Sequence, residues 1–143
     1  MATMWLMDGS RTRVDVLSRE ECLRRLEFKS YVGRVGFLSD DQLYVLPVNY
    51  LAENEAIFFC TAEGTKLSAL SGGNPVTFEV DASQPLYHSG WSVMVTGTAR
   101  EVTDPNELDR LRRGPLRSWA VQSSQHWVRI SIDSISGRQI PES

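Results

Sequence analysis

The chain has 143 residues, of which 41% are hydrophobic and 23% charged, and its formal net charge at pH 7 is −3. This composition is typical of a single globular domain, and it argues against a general nucleic-acid-binding protein, which would be basic. The sequence has no apolar run of the roughly 18 residues that a membrane helix needs, and it does not begin like a signal peptide. We therefore expect a cytoplasmic protein with neither a nucleic acid nor a membrane as partner.

The first half of the chain predicts an arm, a helix and three strands. Residues 1–16 show no clear period and are expected to form a partly ordered N-terminal arm, ahead of one domain at residues 17–143. Ser18 and Glu21 have the spacing of a capping box, which opens a helix in LSREECLRRLEF. Strands are predicted in YVGRVGFL, QLYVLPVNYL and AIFFCT, joined by the polar turns DD and AENE.

The second half predicts three more strands and two helices. A short helix at residues 65–70 is ended by a Gly-Gly pair, and a later helix is capped by Asp104 with Pro105 in its first position. Strands are predicted in PVTFEVD, GWSVMVTGTAREV and HWVRISI, with a loop over residues 82–89 and a tail that can still pair. Six short strands joined by short turns predict a mainly β protein, with an antiparallel barrel and flanking helices.

The segment TAEGTKLSAL suggests a phosphate site. Thr61, Thr65 and Lys66 surround the start of the short helix, where unpaired N–H groups and the helix dipole favour an anion. A lysine is poorly placed there unless an anion neutralises it. The segment is not a nucleotide-binding P-loop, because Leu67 follows the lysine where Ser or Thr is required. A solvated first-turn lysine remains the alternative.

The segment PVNY, residues 47–50, interrupts an otherwise apolar strand. Pro47 cannot donate to a sheet ladder, so the segment is expected at an edge or an irregularity, with backbone groups free to meet a flat ligand. Asn49 adds an amide that can both donate and accept. A plain edge strand explains the pattern equally well.

Other chemistry has weaker support in the sequence. GWSVM begins like a nucleophile elbow, but Met94 replaces the second glycine that this turn needs. No His, Cys or carboxylate group has the spacing of a metal site, and Cys22 and Cys60 are expected to be reduced core residues. His88 or His126 could serve as an axial haem ligand, which needs no motif.

Several segments in register resemble the pyridoxamine 5′-phosphate oxidase-like proteins, which are flavin-binding split barrels, and in particular their small bacterial branch. These segments are VGRVGF, LPVNY, IFFCTAEGTKLSAL, NPVTFEVD, GWSVMVTGTAREV and ISGR, and they extend over roughly residues 17–138. The resemblance implies a six-stranded antiparallel split barrel that forms a homodimer, with two flavin mononucleotide (FMN) sites at the interface.

The resemblance also assigns roles to residues. It implies that Thr61, Thr65 and Lys66 contact the FMN phosphate. The groups along the isoalloxazine ring would be Pro47, Val48, Asn49 and Tyr50. Trp91 and Ser92 would reach the flavin of the second subunit, and Arg34 is a candidate for the cofactor or the dimer interface.

The chain also departs from the enzyme that gives the family its name. It lacks that enzyme's arginines and lysine on the strand matching LPVNY, its arginines around a glutamine on the strand matching GWSV, and its C-terminal histidine- and arginine-containing segment. We therefore do not expect vitamin B6 oxidation. We expect an FMN-dependent oxidoreductase or reductase that acts on an unidentified small molecule. The alternatives are a deazaflavin-dependent reductase, a non-catalytic flavin carrier or sensor, and a haem-binding split barrel.

Overall fold

The computed structural model describes residues 2–5, 11–28, 32–62, 65–114 and 125–141. These residues form nine strands, three α-helices and one short 3-10 helix at Pro85–Tyr87. The helices are α1 (Arg19–Phe28), α2 (Thr65–Ser71) and α3 (Pro105–Arg113). The strands are β1 (Ala2–Trp5), β2 (Arg11–Val16), β3 (Val32–Ser39), β4 (Gln42–Glu53), β5 (Ala56–Ala62), β6 (Gly72–Gln84), β7 (Ser89–Glu101), β8 (Gln125–Ser131) and β9 (Ser134–Ile140).

Six antiparallel strands close into a barrel in the order β7, β6, β3, β4, β5 and β8, with β8 returning to β7. This confirms the predicted six-stranded split barrel with flanking helices. β7 divides its length between two neighbours, because residues 90–96 pair with β9 and residues 99–101 pair with β8. β9, β2 and β1 continue the sheet outside the barrel.

The point where β7 changes partner requires a glycine. A Cβ on Gly97 would lie 1.7 Å from the carbonyl oxygen of Ser131, at the end of β8. Gly33 of β3 has a similar role inside the barrel, since a Cβ there would lie 2.2 Å from the ring of Phe78. These glycines let backbone and ring approach closely, so two of the segments that carry the family resemblance are explained by packing.

Local sequence signals form as predicted at both long helices. The Ser18 hydroxyl accepts from the Glu21 N–H at 3.2 Å, and the Glu21 carboxylate accepts from the Ser18 N–H at 3.5 Å. Asp104 accepts from the Asn106 N–H at 3.4 Å at the start of α3. The two predicted polar turns each place two consecutive residues in the left-handed region, Asp40 and Asp41 in the first and Asn54 and Glu55 in the second.

Two regions differ from the sequence pattern. Residues 1–16 contain two strands, and β2 pairs with β9 through Asp15 and Val16. The predicted loop at 82–89 is shorter than expected, because residues 82–84 pair with residues 89–91 and extend β6 and β7 to the hairpin tip. These residues are polar and show no apolar alternation, so the sequence pattern did not predict a strand there, although their backbones pair.

The core lies inside the barrel and is completed by helices. Within the described part of the chain, no helix is long and apolar enough to span a membrane. α1 and α2 contribute to the main core, and Leu111 of α3 packs with Phe58 and Trp127 in a second cluster outside the β5–β8 wall. Side chains at most 3% exposed in the main core include Cys22, Leu26, Val35, Phe37, Tyr50, Ile57, Phe59, Leu70, Val76, Phe78, Val80, Val93, Val95, Ala99, Val128 and Ile130.

Candidate functional site

The barrel wall opens between β4 and β5, next to the PVNY segment. The ladder between these strands joins residues 50–53 to residues 56–59 and ends there. β4 runs on beside β3, while β5 runs on beside β8 as far as Ala62. Residues 47–49 therefore lie where β4 has separated from β5, and Pro47 has no N–H to leave unpaired there. The predicted irregularity at this segment is a parting of two strands.

The short helix α2 begins three residues after β5 ends, packs against β3, β6 and β7, and is held firmly at its far end. Leu70 is 2% exposed and belongs to the main core. The Ser71 hydroxyl and the Asn74 side-chain amide each donate to a backbone carbonyl of the helix, at 2.6 and 3.1 Å. Gly73 then turns the chain with a positive φ of 84°. These contacts fix the direction in which the first turn of α2 points.

Three predicted phosphate contacts belong to this end of the barrel, which we call the phosphate end and define as residues 61–66. Thr61 is half-buried in β5 and lies opposite His126 of β8 in the register. His126 Nδ1 is 2.7 Å from a carboxylate oxygen of Glu101. Thr65 and Lys66 begin α2, but their side chains lie outside the described part of the structure.

Alternation along β4 turns the four PVNY residues to two faces. Val48 and Tyr50 face the barrel interior, and Tyr50 is fully buried, with its hydroxyl donating to the Leu26 carbonyl at 3.0 Å. Burial raises the pKa of Tyr50 to about 12, so its phenol stays neutral in the core. Pro47 and Asn49 lie on the opposite face of the strand. Of the four residues, these two are therefore the ones whose side chains a ligand on that face can contact.

That opposite face, formed by the outward side chains of β3, β4, β6 and β7, is called the outer face. Arg34 lies opposite Pro47 in the register of β3 and β4. Its Nη1 is 3.0 Å from a Glu79 oxygen and 3.5 Å from an Asp81 oxygen, both on β6. Arg34, Glu79 and Asp81 are called the Arg34 cluster. In this cluster one guanidinium holds two carboxylates together.

The crowding of these carboxylates changes the proton affinity of one of them. The pKa of Glu79 is raised to about 7, mainly by burial and then by the hydrogen bond and the negative charge of Asp81, while Arg34 opposes the shift. Met94 of β7 lies across from Glu79 and adds no charge. Glu79 therefore exchanges its proton near neutral pH.

Large apolar side chains surround the Arg34 cluster on the outer face. Their exposed fractions range from 45% to 76%. The register places them on β3, β4 and β7, three of the four strands of the outer face, with the same outward direction as Arg34. They are Val32, Leu38, Leu43, Val45 and Met94.

Trp91 and Ser92 follow each other on β7 and so face opposite ways. Trp91 is half-buried against the main core, with the Arg25 guanidinium 5.5 Å from its ring centroid. Arg25 also donates to the side chain of Gln139 on β9. Ser92 lies on the outer face, between Asp81 on β6 and Arg138 on β9 in the register.

A cavity of about 410 Å³ lies beside Ser92, where β6, β7, β9 and β2 meet. We call it the β9 cavity. Its walls combine apolar groups with charged and hydroxyl-bearing side chains from four segments of the chain. The residues used below are Val14, Asp81, Trp91, Ser92, Arg138 and Ile140.

The structure thus brings together only some of the predicted site residues. Arg34, Pro47, Asn49 and Ser92 share the outer face, whereas Val48, Tyr50 and Trp91 face the core. The phosphate end lies apart from them, at the end of β5 and the start of α2. The sequence pattern did not single out Glu79, Asp81 and Arg138. The alternation in TFEVD does carry a signal for the first two, since residues two apart in a strand share a face.

The remaining candidate chemistry finds no support in the described part of the chain. His88 is exposed at the β6–β7 hairpin, with a left-handed φ of 51°. Cys22 is buried, Cys60 is half-buried, both are free thiols, and burial raises the pKa of each. Among the described residues, no three His, Cys, Asp or Glu side chains are grouped so that they could hold a metal ion.

Comparison with known proteins gives this arrangement a context. The sequence model of the pyridoxamine 5′-phosphate oxidase family matches residues 18–139. An uncharacterized protein of Mycobacterium tuberculosis is 32% identical over 136 residues, which are 92% of this chain and 88% of the relative. A solved FAD-binding protein of Mycobacterium smegmatis is 35% identical with a TM-score of 0.72, covering 87% of this chain and 96% of that one. A solved FAD-binding protein of Mesorhizobium loti is 25% identical with a TM-score of 0.75, covering 90% and 99%.

Proposed function

Because the chain belongs to the pyridoxamine 5′-phosphate oxidase family, we propose that it is a homodimeric FMN-binding flavoprotein that reduces or oxidises a small molecule. The observation that carries this proposal is the parting of β4 from β5 beside residues 47–49, together with an anchored α2 that follows β5 directly in the chain. That arrangement supplies an open strand edge for a flat ring and a helix start for a phosphate, two features that one FMN needs at once.

At the phosphate end, Thr61, Thr65 and Lys66 would hold the FMN phosphate. Free N–H groups in the first turn of α2 favour an anion, and a lysine beside it supplies the neutralising charge. The anchoring of α2 through Ser71 and Asn74 supports this role, because a donor set that is already fixed loses little entropy when it binds.

Along the open edge of β4, the ring would lie against residues 47–50. The backbone of this segment and the Asn49 amide offer hydrogen-bonding groups, while Tyr50 contributes through its backbone, because its side chain is held in the core by Leu26. Arg34 is tied to Glu79 and Asp81, and these contacts support a role at the interface beside the cofactor.

The chemistry divides between the cofactor and the chain. A bound flavin would supply hydride or electron transfer at its N5 atom. The chain's residues bind the phosphate, orient the ring and exclude water with the apolar groups around the opening. Substrates other than pyridoxamine 5′-phosphate are proposed, since the chain lacks the charged segments that the name-giving enzyme has at these positions.

The outer face supports the homodimer. A cluster of five large side chains, each at least 45% exposed, is unusual for a monomer and typical of an interaction surface. A twofold dimer buries the same patch on both subunits, so the apolar residues around the Arg34 cluster would cover one another. Ser92, which lies on this face, would then reach the flavin held by the partner subunit, whereas the Trp91 ring packs against the core of its own subunit.

The absorption spectrum of the purified protein, followed by titration with FMN, tests this proposal. Flavin bands near about 370 and 450 nm, or saturable FMN uptake of one per subunit, would support it. Parallel titrations with a deazaflavin coenzyme and with haemin identify a different cofactor in the same fold. Saturable uptake of either one without FMN uptake would overturn the FMN assignment. FMN uptake without turnover of any nicotinamide donor would favour a carrier or sensor.

A further inference from the structure

The β9 cavity is lined by a positive charge that none of the described residues neutralises. Arg138 lies opposite Ser92 on the neighbouring strand and lines the cavity. Its backbone belongs to the sheet, but its guanidinium has no ion-pair or hydrogen-bond partner among the described residues. Guanidinium is charged at every physiological pH and carries five N–H donors, so Arg138 offers a complete anion-binding group to whatever enters the cavity.

The nearby carboxylates are already engaged elsewhere. Asp81 also lines the β9 cavity, but its carboxylate is 3.5 Å from Arg34, which it shares with Glu79. Asp81 therefore already shares Arg34 with a second carboxylate, and among the described residues no contact joins it to Arg138, which lines the cavity as a cation. The other walls include Val14 and Ile140, together with Trp91, so the cavity suits a ligand that joins an anion to an apolar or aromatic body.

We propose that the β9 cavity binds the anionic group of a second ligand, a phosphate or a carboxylate, through Arg138 and the Ser92 hydroxyl, while the apolar walls hold its body. This inference rests on the proposed function, because Ser92 is the residue that would reach the partner subunit's flavin. A ligand in the cavity would therefore lie beside that flavin. Two kinds of ligand could supply this anionic group: the adenylate half of FAD, or a free aromatic acid that serves as substrate.

The test compares wild-type protein with Arg138→Gln and with Arg129→Gln as the matched control. Arg129 is an exposed arginine of β8, outside the β9 cavity, and its substitution removes the same charge. The FMN-loaded dimer of each protein is titrated with adenosine monophosphate and, separately, with benzoate, and the shift of the flavin absorption band is recorded. FMN and FAD affinities are measured on the flavin-free proteins.

We expect saturable binding of at least one anion to wild-type and Arg129→Gln, and affinity about tenfold weaker in Arg138→Gln. Adenosine monophosphate binding, with FAD affinity falling in Arg138→Gln while FMN affinity holds, assigns the cavity to the adenylate. Benzoate binding, with both flavin affinities unchanged, assigns it to an acidic substrate.

Three results would overturn the inference: neither anion binds, Arg138→Gln binds them as well as wild-type, or Arg138→Gln loses FMN itself. Failure of the proposed function looks different, because the wild-type protein would then bind no FMN. In that case, calorimetric titration of the flavin-free protein with each anion still shows whether the β9 cavity binds anions. Saturable binding that needs Arg138 supports an anion site, and absence of binding rejects it.

Discussion

The phosphate end and the β9 cavity are built in different ways, although both belong to the proposed flavin site. The phosphate end is a single stretch of chain, residues 61–66, where a strand passes into a helix. The β9 cavity combines residues from β2, β6, β7 and β9, which are separated by more than a hundred residues between Val14 and Arg138. A local turn is suited to a group that stays the same among ligands, such as a phosphate. In a cavity built from several strands, a substitution on one strand can alter one wall while the other walls stay as they are.

This difference suggests where relatives diverge. A change of ligand at the β9 cavity needs one substitution on one strand, with the barrel left intact. A change at the phosphate end alters both the helix start and its anchoring. We infer that the phosphate end fixes the class of cofactor and the cavity fixes what lies beside it.

The largest loss of stability should come from a substitution at Gly97, where β7 changes its partner from β9 to β8. Gly97→Ala places a Cβ 1.7 Å from the Ser131 carbonyl, where β7 leaves β9 for β8. We expect a loss of more than about 4 kcal/mol in the free energy of unfolding, or no folded protein. Circular dichroism and urea unfolding measure it, with Gly36→Ala as the control, since the nearest atom to a Cβ there is 3.8 Å away. Equal stability of the two variants would contradict the packing argument.

The next largest effect is expected from a substitution that separates the subunits and changes neither the phosphate end nor the β9 cavity. Leu43 is 76% exposed on the outer face, and Leu43→Glu would bury a charge in the proposed interface. We expect a dimer in wild-type protein and a monomer in this variant by sedimentation at micromolar concentration, with FMN affinity reduced as well. Asn106→Glu adds the same charge on α3 and should leave the dimer intact. A monomeric wild-type protein would reject the interface.

A smaller effect belongs to the Arg34 cluster alone. The pKa of Glu79 is raised from 4.5 to about 7, mainly by burial, so the folded protein holds this proton more tightly than the unfolded chain. The free energy of unfolding should therefore fall as the pH rises from about 4.5 to about 7. Urea unfolding across this range should show a flatter profile for Glu79→Gln than for wild-type, while Glu20→Gln on α1 should follow wild-type. Identical profiles for all three would show that Glu79 titrates normally.

The smallest effect lies outside both regions. Asp104→Ala removes the cap of α3 and should cost about 1 kcal/mol, or about 3 °C in Tm, with no change in ligand binding. Asp104→Asn keeps a capping oxygen and should recover most of the loss in a thermal melt. A change in FMN affinity would mean that α3 communicates with the site.

The same contrast explains what the sequence could predict. The capping box at Ser18, the cap at Asp104 and the turns at Asp40 and Asn54 are local, so spacing alone identifies them. The barrel follows from counting strands between short turns. The β9 cavity could not be predicted, because residues at positions 14, 81, 92 and 138 meet only after β7, β9 and β2 have paired.

The most direct test of a flavin shared between subunits is complementation between two variants. Lys66→Ala would remove the proposed phosphate contact, and Ser92→Leu would block the residue proposed to reach the flavin of the partner subunit. Each homodimer alone should lose FMN binding, by about 100-fold for Lys66→Ala. After the two are mixed and the subunits exchanged, half of the dimers are mixed, and each has one intact site of two, so about a quarter of all sites should recover wild-type affinity. Recovery of that fraction in a fluorescence titration is the predicted result, and no recovery, or full binding by either homodimer, would contradict the account.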